Sequence, residues 1–363
     1  MSWLIHGLIL RQQGRGCIMI HVSKINPMRK RQWQKFRAHR RGWWSLWIFA
    51  VLFTVSLFAE FIANNKPLVV WYNGAWYWPI FYNYPETTFG GEFASTADYQ
   101  DPYVAGLIQE KGGMLWPLIT YSYNTIAKDL KVPAPSPPDL EHWLGTDDQA
   151  RDVLARLIYG FRISVLFGLA LTFFSTLIGL AAGAVQGYFG GKIDLFFQRF
   201  LEIWGGLPSL FILITVASII QPGFWTLLFI MMLFSWTWPV SVVRAEFLRS
   251  RKLDYVRAAK SMGASHLRLI WHHILPNASV AVLTFLPFTL AESMVLLTAL
   301  DFLGLGLPVG SASLGELLAQ GKANLQAPWL AISGFVVTAL TLILIMFIGE
   351  AARHAIDPRG IQK

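Results

Sequence analysis

The chain has 363 residues, of which 54% are hydrophobic and only 14% are charged. A soluble domain carries about 25% charged residues, so this deficit excludes an ordinary soluble globular protein. The net charge of +9 could indicate a nucleic-acid partner, but the basic residues alternate with long charge-free runs and therefore favour a membrane protein that binds no nucleic acid.

The first 42 residues form a basic tail with ten lysines and arginines and no acidic residue. A tail of this charge is expected in the cytoplasm. Met28, with three basic residues directly after it, is the expected biological start, and residues 1–27 are expected to be dispensable. Arg40 and Arg41 fit the basic flank of a first transmembrane helix, with a twin-arginine signal as the alternative. Cys17 is the single cysteine, which excludes an intramolecular disulfide.

Apolar runs along the rest of the chain predict six transmembrane helices, because a helix needs about 20 apolar residues to cross the hydrocarbon. A charge-free run of 41 residues, from 203 to 243, is too long for one helix, and Gln221-Pro222-Gly223 divides it. The sequence thus predicts an all-α polytopic membrane protein. The predicted spans are 43–63, 163–191, 203–220, 224–243, 278–300 and 323–349.

The loops predict the orientation of these spans. Residues 64–150 hold four basic and ten acidic residues, whereas residues 244–276 hold seven basic and two acidic ones. Positive loops stay in the cytoplasm, so both termini, including the tail 351–363, are expected there. Residues 64–162 are then a periplasmic insertion with the lead-in to the second helix. Residues 163–350 form the helical core, interrupted by a cytoplasmic loop at 244–277.

The insertion is rich in aromatic and turn-forming residues, and structureless segments of this length are uncommon in compact proteins. We therefore expect a small ordered subdomain. Its aromatic side chains either fill the core of that subdomain or form a docking or substrate-facing surface.

The loop after the fourth span runs from Asp254 to Asn277 and reads as a short helix, a glycine turn and a second short helix stopped by Pro276. Small residues at Ala258, Ala259 and Gly263 would let another protein approach the backbone closely. The flanking basic residues would attract an acidic partner. The alternative is an amphipathic helix lying on lipid headgroups.

This loop resembles the EAA loop, the coupling helix of ABC importer permeases. Ala258, Ala259, Gly263, Leu275 and Pro276 match that pattern, while Arg257 stands at the glutamate position and His273 at a later isoleucine position. Both departures resemble the oligopeptide and dipeptide branch of the family. Further stretches that resemble this branch are His142–Asp147, Arg151–Leu154, Arg162–Ser164, Phe302–Pro308 and Asp357–Arg359.

The resemblance, which covers about residues 140–360, implies the type I ABC importer permease fold in the bacterial inner membrane. It implies three partners: a homologous second permease, ABC ATPase subunits that bind ATP and Mg, and a periplasmic peptide-binding protein. The implied substrates are oligopeptides or peptides like microcin C. This chain is expected to bind no cofactor and to be no enzyme, because neither Gly191-Lys192 nor Gly321-Lys322 completes a P-loop.

Two alternatives stay open at this point. One is an ion-coupled secondary transporter, which needs ionisable residues inside the membrane. After the first span, Glu292 is the only carboxylate well inside a span, and it is the candidate residue of a translocation path. The other is an ABC permease for a different substrate, such as nickel. His272 and His273 lack the spacing of a catalytic metal motif, so neither a catalytic site nor a metal site is expected.

Overall fold

The computed structural model describes residues 27–128, 130–220 and 223–356. The tail up to residue 26 with Cys17, the predicted break at Gln221-Pro222, and the motif Asp357–Arg359 lie outside the described residues. The first helices are α1 (Pro27–Ala38), α2 (Arg40–Leu57), α3 (Ala59–Ile62) and α4 (Pro102–Lys111). The later ones are α5 (Val153–Phe189), α6 (Gly191–Gly205), α7 (Ser209–Ile219), α8 (Phe224–Ser235), α9 (Thr237–Ser250), α10 (Asp254–Ser261), α11 (His266–Arg268), α12 (Leu275–Phe302), α13 (Leu314–Ala323) and α14 (Pro328–Ile356).

Four helical segments of the described chain are long and apolar enough to cross a membrane. They are Val153–Phe189, Phe224–Ser250, His266–Phe302 and Pro328–Ile356. A fifth candidate is the pair Gly191–Gly205 and Ser209–Val216, which is bent by 61°. These segments overlap the second to sixth predicted spans, but their bounds differ. The second begins at Val153 instead of Ile163, and the sixth begins at Pro328, because Ala323 ends the separate helix α13.

The first predicted span, 43–63, corresponds to α2 and α3, which are separated at Phe58. It is not among the segments that are long and apolar enough by themselves in the described chain. The helix nevertheless packs tightly on the last one, since a Cβ added at Gly42 would overlap Ala351. Nη1 of Arg162, on α5, donates to both carboxylate oxygens of Glu60, the one acidic residue of α2 and α3, at 2.8 and 2.9 Å.

The insertion contains a three-stranded antiparallel sheet, so the all-α prediction is wrong for this part of the chain. The strands are β1 (Val69–Tyr72), β2 (Ala75–Tyr77) and β3 (Gly112–Leu115), in the order β2-β1-β3. Asn73 and Gly74 join β1 and β2 with φ angles of 51° and 77°. Two successive positive φ angles match the twist of a hairpin, and Asn-Gly is the favoured sequence for this turn.

Side chains alternate between the two faces along a strand, and one face of this sheet is buried while the other is exposed. Val70 and Tyr72 pack with Phe89 and Ile108 in a closed aromatic core. Trp71, in contrast, is 50% exposed on the opposite face. The sequence left open whether the aromatic residues fill a core or form a docking or substrate-facing surface. Some of them fill the core and others, such as Trp71, are exposed, while the docking role stays a prediction.

A row of glycines forms a close helix contact where α5 crosses α9. Small residues spaced by four let two backbones approach closely in a membrane protein. Every one of these glycines touches a larger residue of α9, and a Cβ on any of them would come within 2.7 Å of that residue. The contacts are Gly179 with Pro239, Gly183 with Val243, and Gly187 with Phe247. Near this seam, Arg244 of α9 also binds Asp194 of α6 in a bidentate pair, at 2.5 and 2.7 Å.

Candidate functional site

The loop predicted at 244–277 is shorter in the structure, because α9 continues to Ser250. We call residues 254–276 the coupling segment. Pro276 does not stop a second short helix, as the sequence predicted, since the chain is helical from His266 to Phe302. The reason is a π-helical stretch, Leu269–Ile274, after which Pro276 lies in the first turn of α12. A proline is tolerated in a first turn, where its missing N–H is not needed.

Gly263 ends α10 in a left-handed conformation, with φ of 84°. The amide of Ala264 donates to the Ala259 carbonyl at 3.1 Å, and the amide of Gly263 donates to the Lys260 carbonyl at 3.0 Å. These two bonds are the Schellman motif, which favours glycine at this position. Apart from its two neighbours in the sequence, a Cβ on Gly263 would meet no atom of the described residues within 4 Å. Glycine is therefore required here by the backbone conformation and not by crowding inside the chain.

Helix α10 is fixed to the membrane helices by its apolar side. Val256 and Ala259 are buried in a cluster with Phe247, Leu269 and Ile274. Leu275 packs against the same cluster. The coupling segment is therefore part of the helical core, and a force applied to α10 would reach α9 and α12 directly.

Hydrogen bonds connect the two ends of the coupling segment. The Asn277 amide donates to the Tyr255 hydroxyl at 2.8 Å, and that hydroxyl donates to the His273 carbonyl at 3.2 Å. Ser265 caps the next helix by accepting from the Arg268 amide at 3.4 Å. These bonds hold α10, which carries the predicted residues Arg257 to Ala259, close to the start of α12, which carries Leu275 and Pro276.

The outer side of the coupling segment is exposed and carries positive charge. Arg257, Ala258 and Pro276 are exposed, whereas Ala259 is buried. A cleft of about 500 Å³ lies beside α10, and its basic lining residues are Arg251, Lys252, Arg257 and Lys260. Sequence reasoning missed three large apolar side chains that are also exposed here: Met262 at 81%, Leu267 at 69% and Trp271 at 63%.

Glu292 is exposed on α12, although its neighbours Ser293 and Met294 are buried. It lies 16 residues after Pro276, or about 24 Å along the helix at about 1.5 Å per residue. The structure therefore does not bring Glu292 together with the coupling segment. The two are separate features of one long helix.

A buried ion network lies at the other end of the helices, and the sequence analysis did not anticipate it. Arg151 binds Asp147 at 2.7 Å and Glu316 of α13 at 3.1 Å. Arg156 of α5 binds Glu316 at 2.9 Å and lies 3.4 Å from Asp147. Asp147 and Arg156 have no solvent exposure. We call these four residues the ion network. They join the insertion to α5 and α13.

Further polar contacts extend the ion network at the same end. His142 Nδ1 lies 2.9 Å from Asp152, which also caps α5 by accepting from the Ala155 amide at 2.7 Å. The Ser313 hydroxyl donates to Asp301 at 2.5 Å. Asp148, beside the network, has a pKa raised above its ordinary value, chiefly by burial and next by the charge of Asp147.

Two members of the ion network, Asp147 and Arg151, lie in stretches that carry the family resemblance, His142–Asp147 and Arg151–Leu154. Asp147 and Arg151 lie four residues apart, but Glu316 is 165 residues beyond Arg151. No sequence periodicity connects positions so distant. Within the described ranges, no group of three or more His, Cys, Asp or Glu residues could hold a metal ion.

Comparisons with known proteins agree with this geometry. Residues 157–361 match the family of binding-protein-dependent transport system inner membrane components. Residues 27–85 match the N-terminal transmembrane domain of oligopeptide transport permease C. The first match contains the whole coupling segment, and the second contains α1, α2 and the start of the insertion.

Three relatives illustrate the similarity. The inner membrane ABC transporter permease protein YejE of Escherichia coli is 56% identical over 93% of this chain and 99% of its own length. The peptidoglycan transport system permease protein YejE of Agrobacterium fabrum is 51% identical over 92% of this chain and 94% of its own. The oligopeptide transport system permease protein OppC of Lactococcus lactis is 36% identical over 60% and 76%. The chain belongs to the family of binding-protein-dependent inner membrane components, the permease subunits of ABC importers.

Proposed function

We propose that this chain is a permease subunit of an ATP-driven importer that moves peptides from the periplasm to the cytoplasm. The coupling segment is the observation that carries the proposal. It presents an exposed helix ended by a left-handed glycine, and its opposite side is packed into α9 and α12. Such an element can receive a movement from another protein and pass it to membrane helices.

The proposed mechanism uses a homologous second permease and two ATPase subunits, which bind ATP and Mg. The ATPases would contact Ala258 and the basic side chains of α10, and their closure on ATP would draw the coupling segments of both permeases together. Because Val256 and Ala259 are buried against α9, α12 and the π-helical turn, the movement would tilt these helices as rigid bodies. The pathway would then change from inward-facing to outward-facing.

The proposed topology has six spans, with α2 and α3 as the first and both termini in the cytoplasm. Its support is the charge of the loops, since residues 64–150 hold ten acidic and four basic residues. The ion pair between Glu60 and Arg162 makes a first span feasible, because each charge is matched where it meets the membrane. Residues 64–152 would then be the periplasmic insertion.

Glu292 would face the second permease or the translocation path and not the lipid. A charged side chain in lipid at mid-membrane costs at least about 2.5–3.5 kcal/mol, and Glu292 is exposed on this chain without a salt bridge to another described residue. A surface that a partner or water covers removes this cost.

The proposed substrates are peptides, on the basis of the relatives' names: one is a peptidoglycan transport permease and another an oligopeptide transport permease. Delivery by a periplasmic peptide-binding protein is part of the proposal. Uptake of peptides like microcin C stays a prediction from the resemblance.

Reconstitution of the whole complex in proteoliposomes tests the function. Peptide uptake should require ATP on the side of the ATPases and the peptide-binding protein on the other side, and it should continue when an ionophore collapses ion gradients. The matched control is an ATPase that binds but cannot hydrolyse ATP, which should give no uptake. Uptake driven by an ion gradient without ATP would support the secondary transporter instead.

A further inference from the structure

A turn in the insertion exposes three large aromatic side chains together. Trp78 is 47% exposed, Phe81 64% and Tyr82 65%. The amides of Phe81 and Tyr82 both donate to the Trp78 carbonyl, at 3.0 and 3.1 Å. We call residues 78–82 the aromatic turn. Exposed aromatic side chains grouped in this way mark a surface that meets a partner or a membrane.

The aromatic turn is held rigidly by the core of the subdomain. The Trp78 amide donates to the Tyr84 hydroxyl at 3.4 Å, and the Tyr84 ring packs at 5.2 Å from Tyr77 and 6.3 Å from Phe89. Phe89 is completely buried. The turn is therefore attached to the core of the subdomain, while its three aromatic rings are exposed.

The aromatic turn also touches the outer end of the first span. The rings of Phe81 and Phe61 lie 6.0 Å apart, and Phe61 packs at 6.1 Å on Phe58. Phe58 and Phe61 are themselves 55% and 43% exposed. The exposed aromatic surface of the turn is thus continuous with the exposed apolar surface of the helix.

The combined length of α2 and α3 gives the depth of the turn. From Arg40 to Phe61, across the break at Phe58, there are 21 residue steps, which correspond to about 32 Å at about 1.5 Å per residue when α3 continues the direction of α2. The hydrocarbon of a bilayer is about 30 Å thick. With Arg40 and Arg41 at one headgroup layer, Phe61 and its neighbour Phe81 reach the opposite edge of the hydrocarbon.

We propose that the aromatic turn inserts into the headgroup and upper acyl region of the outer leaflet and anchors the insertion to the lipid. Tryptophan and tyrosine collect at this depth because an apolar ring and a polar tip match the two sides of the interface. Lys66, which donates to Asn83 beside the turn at 2.6 Å, adds a positive charge suited to lipid phosphates. The anchor would fix the height of the subdomain above the membrane. The inference rests on the proposed topology.

Site-specific fluorescence in the complete transporter, reconstituted in phospholipid nanodiscs, tests the anchor. Cys17→Ser removes the single cysteine, and Phe81→Cys then carries an environment-sensitive dye. Phe93→Cys is the matched control, since Phe93 is also 64% exposed and belongs to the same insertion. Lipids with a nitroxide near the headgroup should quench the dye at 81 strongly and at 93 weakly, and aqueous iodide should do the reverse.

Two results would overturn the anchor. Strong iodide quenching at 81 would place the turn in water, and quenching by neither agent would assign it to a protein partner. The topology is tested separately, by labelling Phe93→Cys in intact spheroplasts with an impermeant thiol reagent. Labelling only after lysis would reverse the topology, whereas labelling of intact cells together with iodide quenching at 81 would refute the anchor alone.

Discussion

Replacing Gly263 by valine is expected to abolish most ATP-driven transport while the membrane helices remain inserted. Gly263 has φ of 84° and closes the Schellman motif at the end of α10. A β-branched residue is strongly disfavoured in this conformation, at a cost of about 1–3 kcal/mol. If the turn relieves that strain by leaving the conformation that docks on the ATPase, the docked state is disfavoured by about 5- to 150-fold, and ATP-driven transport falls with it. No predicted apolar run is touched, so insertion should be normal.

The matched control for this prediction is Gly263→Asn. Asparagine tolerates the left-handed region, and an added Cβ would meet no atom within 4 Å in the described part of the chain apart from the two adjacent residues, so most transport should remain. The measurements are peptide uptake and peptide-stimulated ATP hydrolysis in reconstituted complexes. Normal transport by the valine variant would show that this turn is not part of the coupling element.

Replacing Arg156 by alanine is expected to destabilise the protein by about 3–5 kcal/mol, because removal of one partner leaves buried charges unpaired. Arg156 is completely buried and binds Glu316 at 2.9 Å. Its guanidinium also donates to the carbonyls of Ser311 and Tyr123, at 2.9 and 3.3 Å. The variant would therefore lose three contacts of α5 at once: the ion pair with Glu316 of α13, the bond to Ser311 before α13, and the bond to Tyr123 of the insertion.

Arg199→Ala is the matched control, because Arg199 forms an exposed pair with Glu202, with side chains 71% and 57% exposed. Exposed pairs contribute at most about 1 kcal/mol, so this variant should unfold close to the wild type. Thermal unfolding of both variants in the same detergent gives the comparison. Equal unfolding temperatures for the two variants would show that the ion network does not hold the outer ends of the helices.

Most of the apolar helices could be predicted from the sequence, because each contains a continuous apolar run of the kind that lipid requires. The charge-free run from 203 to 243, for example, contains α7 and α8. Their ends were less predictable. Pro276 was expected to stop a helix, but the preceding π-helical turn shifts the register and places the proline in a first turn, where it does no harm.

Two features were readable in the sequence and were missed. Asn73-Gly74 between β-branched and aromatic residues is a strong local signal for a hairpin, but the membrane class of the chain favoured an all-helical reading. The glycines at 179, 183 and 187 are spaced by four, which is the pattern of a close helix contact. Both signals are local and need no knowledge of the fold.

The candidate site was only partly predictable, for a physical reason. Gly263 could be found because its role depends on the local backbone. Arg151 and Glu316, in contrast, form their ion pair across 165 residues, and only the packing of α13 against α5 brings them together. Whether Glu292 faces lipid, water or a partner likewise depends on the other subunits of the complex, which the sequence of this chain does not describe.

The central claim, that the coupling segment meets a separate ATPase, is tested most directly by cross-linking. In the Cys17→Ser background, a photoactivatable reagent attached at Ala258→Cys lies on the exposed side of α10. In an actively transporting complex it should link this chain to the ATPase, with a yield that changes between the nucleotide-free and ATP-bound states. The same reagent at Tyr103→Cys in the insertion should give no link to the ATPase. Absence of an ATPase cross-link at Ala258 in active complexes would contradict the account.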